Sequence, residues 1–186
     1  MDSAVQASDM EIEVVKITDT DEMLKRVLKQ CWNVDMKLSK KKLFACSDSI
    51  LEIPEYYIFA TVPRSVAMQM ETHKKKHGTY VWLASARPDL ANADNTTEYS
   101  RQQAVKMVIK TTARGLIDIS HYRMCMKAEA PTRKFMTMLR SKLKSVEPSL
   151  AENMMPMCAY RNGKCTELRS CGLYKHFKED SNEGQC

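Results

Sequence analysis

The chain has 186 residues and a mass of 21.3 kDa, with 44% hydrophobic and 28% charged residues. This composition excludes a wholly disordered chain, and the lack of an apolar run of about 20 residues excludes a membrane-spanning protein. The acidic, polar N-terminus does not resemble a secretory signal, which predicts an intracellular protein of the cytoplasm, the nucleus or both.

The first half of the chain alternates between strand-like and helix-like patterns. The predicted elements are, in order, a disordered tail over 1–9, a strand over 11–17, a helix over 20–32, short β-prone runs at 43–46 and 50–53, a strand over 56–62 and a helix over 64–76. Thr18 or Asp19 can cap the first helix, and Pro63 suits the start of the second. His73 and His77, set in a lysine run, are expected to be solvated imidazoles.

The second half predicts further strands and longer helices. The predicted elements are a strand over 79–84, a loop over 86–95, a helix over 96–113, a weak strand over 120–126 and a helix over 132–145. Regular βαβ repeats with glycine-rich turns are absent. We therefore expect an α+β fold of mixed short strands and amphipathic helices, forming one domain over 10–150 with a small C-terminal Cys/His segment.

Positive charge is concentrated in one part of the chain. The formal net charge is +6, yet residues 100–145 alone hold eleven Lys and Arg against two acidic residues. On the predicted helix, Lys106, Lys110 and Arg114 recur at spacing four and would form one basic stripe. Such a segment attracts polyanions through phosphate contacts, although cations can also simply solvate helix faces. The residues predicted to contact phosphates are Lys106, Lys110, Arg114, Arg133, Arg140 and Lys144.

Four of the seven cysteines lie in the last 29 residues. Cys158, Cys165 and Cys171 are followed by His176, with six, five and four residues in the gaps. Three thiolates and one imidazole are a common tetrahedral zinc set, so these four residues predict a zinc-binding segment over 154–178, followed by a disordered tail over 179–186. A reduced tail with incidental thiols and a tail held by disulfides remain alternatives.

This segment resembles a CCCH-type zinc finger, including the basic residue Lys164 before the second cysteine. The resemblance covers only the C-terminal segment and no family is recognised for the rest of the chain. It implies binding of single-stranded RNA, with bases stacking on aromatic rings placed between the metal ligands. The residues that it assigns to RNA contacts are Tyr160, Arg161, Lys164 and Lys175.

These observations favour a non-enzymatic nucleic-acid-binding protein, with RNA preferred and zinc as its cofactor. Small basic proteins of this kind are typical of viral accessory or nucleocapsid-associated proteins. The alternative is a self-assembling, matrix-like homo-oligomer that uses its basic face on a neighbouring copy or on an anionic membrane surface. A cysteine-dependent enzyme is a third hypothesis; no dinucleotide-binding, phosphate-loop or zinc-protease motif occurs.

Overall fold

The structure is a computed structural model, and it describes residues 10–17, 20–33, 40–46, 49–84 and 103–173. The predicted tails at 1–9 and 179–186 lie outside them, as do the helix caps Thr18 and Asp19.

A four-stranded antiparallel sheet forms the centre of the protein. Its strands are β1 (Glu11–Lys16), β2 (Glu55–Pro63), β3 (Tyr80–Leu83) and β4 (Ala104–Thr112), in the spatial order β1-β2-β4-β3. Side chains alternate along each strand, so that Ile58 and Met107 are buried on one face while Phe59 and Lys106 are exposed on the other. Only one face of the sheet therefore belongs to the hydrophobic core.

The helices supply the other half of that core. They are α1 (Thr20–Trp32), α2 (Lys40–Cys46), α3 (Arg64–Glu71), α4 (Ala113–Arg123), α5 (Ala130–Val146), α6 (Pro148–Asn153) and α7 (Met157–Tyr160), with a 3₁₀ turn at Ile50–Glu52. The fully buried Phe135 and Leu139 of α5 belong to the same apolar cluster as the inner face of the sheet. The fold is α+β, which confirms the expected class.

Two predictions in the second half are wrong. The segment predicted as a helix over 96–113 contains strand β4, which pairs with β2 on one side and β3 on the other. A spacing of four fits a strand of period two as well as a helix, and the burial of Met107, Ile109 and Thr111 follows the strand period. The weak strand predicted over 120–126 is instead the end of α4 and the turn after it.

Two predictions fail in the first half. The run at 43–46, expected to be β-prone, is the end of helix α2, whose Leu43 and Phe44 are buried. The run at 50–53, also expected to be β-prone, begins with the 3₁₀ turn Ile50–Glu52. Short apolar runs do not distinguish helix from strand by period alone, so packing decides. Among the described residues no helix is long and apolar enough to cross a bilayer.

Candidate functional site

The tight turn at 72–79 joins α3 to β3 and packs against α4. Lys75, His77 and Gly78 have positive φ angles, so the chain reverses sharply here. Thr79 Oγ1 lies 2.7 Å from Thr111 Oγ1, and a Cβ added to Gly115 would stand 2.2 Å from the Thr111 hydroxyl oxygen. The turn and the first turn of α4 are therefore in contact, with no room for a larger residue at 115.

Arg123, at the end of α4, reaches across to this turn. Its Nε donates to His73 Nε2 at 2.9 Å, and its Nη2 donates to Thr72 Oγ1 at 2.8 Å. Because the arginine nitrogen always carries a proton, His73 Nε2 must accept, which places the imidazole proton on Nδ1. The two bonds fix the direction of the guanidinium group.

His73 is held in its neutral form by its surroundings. Burial lowers the pKa of His73 from 6.5 to about 4, and the positive charges of Arg123 and Lys76 act in the same direction. Asp118 opposes them but does not reverse the shift. The residue is thus neutral at physiological pH and surrounded by positive potential.

A second group of side chains lies beside Thr72, His73 and Arg123, and it contains carboxylates. The ring nitrogens of His77 lie 2.9 Å from a Glu52 carboxylate oxygen and 2.7 Å from an Asp118 carboxylate oxygen. Asp118 is also 3.4 Å from Arg114 Nε. His77 and Arg114 of this group, which we call the His77 cluster together with Glu52 and Asp118, therefore both contact carboxylates.

Among the described residues, Arg123 contacts no carboxylate in this way, and Glu129 acts on its pKa only through its charge. Within the part of the chain that the structure describes, its hydrogen-bond partners are a neutral imidazole and a hydroxyl group, and no carboxylate forms an ion pair with it. The ring of Tyr122, 56% exposed, stands beside it with its centroid 6.3 Å from that of His73. We call Thr72, His73, Tyr122 and Arg123 the Arg123 site. A directed guanidinium beside an exposed aromatic ring suits an anion that carries a flat ring system.

The residues predicted to contact phosphates do not form one surface. Lys106 and Lys110 lie on the outer face of β4, and Lys110 is 2.9 Å from a Glu55 carboxylate oxygen, whereas Arg114 lies on helix α4. Arg133 donates to the carbonyl groups of Met126 and Ala128, and Arg140 donates to that of Ala151. The side chain of Lys144 is exposed. The predicted basic stripe therefore does not exist as one helix face.

The C-terminal residues are similarly dispersed. The Tyr160 ring packs on buried His121 with centroids 4.6 Å apart, while Arg161 and Lys164 are exposed; Lys175 and His176 lie outside the described residues. Cys158 is buried, Cys165 is half-buried and Cys171 is exposed. Burial raises the pKa of the Cys158 thiol, with smaller contributions from the nearby thiols of Cys125, Cys171 and Cys165. No pattern in the sequence indicates that Cys125 lies near the other three cysteines.

The fold of this chain also occurs in solved structures of other proteins. No protein-family model and no curated protein sequence matches the chain. The crystal structure of thymidylate synthase X from Helicobacter pylori with FAD and dUMP is similar at a TM-score of 0.60 and 13% identity, over 78% of this chain and 99% of that one. A second structure, of the flavin-dependent thymidylate synthase from Helicobacter pylori complexed with FAD and dUMP, has a TM-score of 0.60 and 12% identity, over 77% and 99%.

The chain has the fold of these flavin-dependent synthases. That finding contradicts the prediction of a non-enzymatic, viral RNA-binding protein, because the solved structures that have this fold are those of an enzyme. The predicted zinc cofactor is wrong as well, since the similar structures carry FAD and dUMP and the described residues contain no group of three or more Cys, His, Asp or Glu that could hold a metal ion. The resemblance to a CCCH finger stays an untested prediction.

The sequence reasoning missed the Arg123 site for a structural reason. Arg123 fell in a predicted strand, and His73 was read as a solvated residue of the lysine run. In the structure α3 ends at Glu71, and the turn that follows carries His73 back against α4, where it is 7% exposed. The one local signal was the glycine after the His/Lys run, which indicates a sharp turn.

Proposed function

We propose that this protein is a flavin-dependent enzyme that acts on a pyrimidine deoxynucleotide, as the thymidylate synthases of the same fold do. The observation that carries the proposal is the Arg123 site. It offers an anion a directed guanidinium group, and among the described residues no carboxylate occupies it. Both FAD and dUMP carry phosphate groups, which is the chemistry that such a guanidinium binds.

The residues present fit a phosphate-bearing nucleotide. Arg123 can offer donors to phosphate oxygens, and Lys76 adds positive potential to the same place. Tyr122 presents an exposed ring on which a flavin or a pyrimidine base can stack. His73 stays neutral, so it holds the arginine without adding a second charge.

The chain's own groups have distinct tasks in this proposal. Arg123 binds and orients the phosphate, and His73 and Thr72 hold the guanidinium in place. A flavin, when bound, accepts and donates hydride equivalents. The contacts of His77 with Glu52 and Asp118 hold the turn at 72–79 against α4.

Nucleotide binding can be measured directly. FAD titrated into the purified protein is expected to change flavin fluorescence, and dUMP is expected to release or absorb heat in calorimetry. Replacing Arg123 with Ala should weaken binding of at least one of the two by about 10- to 100-fold, because a charge-assisted bidentate contact is lost. Arg123→Lys keeps the charge but loses the fork, so it should restore only part of the affinity.

A matched control is Arg161→Ala, which removes an exposed arginine outside the Arg123 site. It should leave both affinities unchanged. Turnover is then tested by following conversion of dUMP by mass spectrometry with FAD, a reductant and a one-carbon donor. No binding of either nucleotide overturns the proposal, whereas binding without conversion overturns its enzymatic part.

A further inference from the structure

The turn after α4 and helix α7 bring several cysteine residues close to one another. Cys125 lies in that turn, Cys158 lies in α7, and Cys165 and Cys171 lie in the segment that follows α7. All four are free thiols; Cys158 is buried, Cys125 and Cys165 are half-buried, and Cys171 is exposed. A single buried thiol packs as a small apolar group, whereas neighbouring thiols can also exchange with disulfides.

Two separate contacts hold α7 against the end of α4. Ser120 Oγ accepts a hydrogen bond from the Met155 backbone N–H at 3.1 Å, just before α7 begins. The ring of Tyr160, the last residue of α7, packs on the ring of His121 with the centroids 4.6 Å apart. Both ends of α7 are therefore fixed against the last turn of α4.

These contacts set Cys158 beside Cys125. Cys158 lies between the two fixed ends of α7, and Cys125 follows His121 by about one helical turn. The Lys127 backbone N–H donates to Cys125 Sγ at 3.5 Å, which holds the sulfur at the turn after α4. Burial raises the pKa of the Cys158 thiol, and among the neighbouring thiols Cys125 adds most to that shift. The order favours Cys125 as the partner of Cys158, since the interaction between charges weakens with distance.

We propose that Cys125 and Cys158 are a redox-sensitive pair, which closes to a disulfide when a low-molecular-weight disulfide such as oxidised glutathione reaches the protein. The Cys125 thiolate attacks one sulfur of the reagent, and one glutathione leaves as a thiolate that takes up a proton. The Cys158 thiolate then attacks the Cys125 sulfur of this mixed disulfide and releases the second glutathione. The two cysteines lose two electrons and two protons, and the reagent's S–S bond becomes two thiols.

The burial of the two thiols fits this order of events. Half-buried Cys125 is open to the reagent, whereas buried Cys158 is shielded from it and reacts through Cys125. Cys165 and Cys171 follow α7 in a segment whose Leu168 side chain is fully exposed, so packing does not direct them in the same way. The new bond cross-links the end of α4 to α7. The inference does not rest on the proposed function, because neither cysteine belongs to the Arg123 site.

Peptide mass spectrometry of the full chain tests the pairing. Trypsin releases Cys125 in the peptide 124–127 and Cys158 in the peptide 145–161, and the other cysteines fall in other peptides. After treatment with oxidised glutathione and alkylation of the remaining thiols, these two peptides should appear as one cross-linked species that disappears on reduction. Because the bond closes a loop that contains α5 and α6, the oxidised protein should melt about 5–10 °C above the reduced protein.

Serine variants separate the roles of the two cysteines. Cys158→Ser should keep glutathione attached to Cys125, because the second thiol is missing, and Cys125→Ser should lose the cross-link while leaving the buried Cys158 in place. Cys31→Ser is the matched control, since Cys31 is exposed on α1, and it should form the cross-link as wild type does. A wild type that keeps glutathione on Cys125, a main cross-link from Cys158 to Cys165 or Cys171, or a cross-link that does not raise the melting temperature overturns the proposal.

Discussion

His73 and Arg123 show how one buried residue sets the chemistry of its neighbour. A protonated imidazole could not accept from the guanidinium, and two adjacent cations would repel each other. Burial keeps His73 neutral, so it can serve as an acceptor. The positioning of Arg123 therefore depends on the protonation state of a residue that need not touch the ligand.

This dependence predicts a pH effect on stability. The folded-state pKa of His73, about 4, lies below the ordinary value of 6.5, so the unfolded chain binds the proton more readily. The stabilisation is complete above about pH 6.5 and is lost as the pH falls toward 4. Urea unfolding at pH 7 and pH 5 should show a smaller loss in His73→Gln than in wild type.

The substitution keeps an acceptor for Arg123, because the glutamine side-chain oxygen can replace the imidazole nitrogen. His121, whose pKa burial also lowers, contributes a similar pH effect to both proteins and cancels in the comparison. Identical pH dependence in the two proteins would contradict the assignment. Affinity for FAD or dUMP in His73→Gln reports separately whether the guanidinium is still directed.

The carboxylate of Glu147 connects four elements of the fold. Glu147, 2% exposed, lies between α5 and α6 and is 2.9 Å from Lys16 Nζ of β1 and 3.1 Å from Lys40 Nζ of α2. Lys40 also pairs with Asp21 of α1. Burial alone lowers the pKa of Lys40, but its hydrogen bonds to Asp21 and Glu147 outweigh this and raise it overall.

Replacing Glu147 with Gln should be among the more destabilising conservative changes in the chain. It leaves Lys16 and Lys40 partly buried without their shared carboxylate, which costs about 3 kcal/mol in the free energy of unfolding. Chemical denaturation measures the effect. The control is Glu152→Gln, which breaks a pair with Lys41 that is exposed on both sides and should cost less than about 1 kcal/mol. Equal effects at the two positions would contradict the assignment.

At the scale of the whole molecule, the sheet and the helices share one core. The apolar cluster runs from β1 and α1 through β2, β4 and α4 to α5 and α6 without a break. A core of this kind unfolds as one unit in a domain of this size. The Arg123 site depends on this shared core, because its residues come from the turn after α3 and from the end of α4.

A substitution that leaves a cavity in the middle of the core tests whether the molecule unfolds cooperatively. Phe135→Ala should lower the free energy of unfolding by about 3–5 kcal/mol, because the fully buried ring leaves a void between α5 and the sheet. Far-ultraviolet circular dichroism and tryptophan fluorescence should shift together. Leu168→Ala, at a fully exposed residue, is the control and should change little. Separate transitions for the two probes would contradict a single core.

Local sequence patterns were sufficient to predict an element where one of its faces is buried and the other is exposed. The predictions of β1, α1, β2, α3, β3 and α5 are confirmed because the hydrophobic period of each segment reflects its burial in the final fold. Strand β4 was missed because Lys106, Lys110 and Arg114 fit a helical spacing as well as a strand. Its pairing with β2 and β3 comes from residues far away in the chain.

The α+β class, most of the elements and the excess of positive charge follow from the amino-acid sequence alone. The groups that those charges face depend on contacts between segments far apart in the chain. Arg114 meets Asp118, Arg133 and Arg140 meet backbone carbonyl groups, and Arg123 meets a neutral histidine 50 residues away. The sequence records a charge at each position, but a binding site depends on which charges remain uncompensated once distant segments come together.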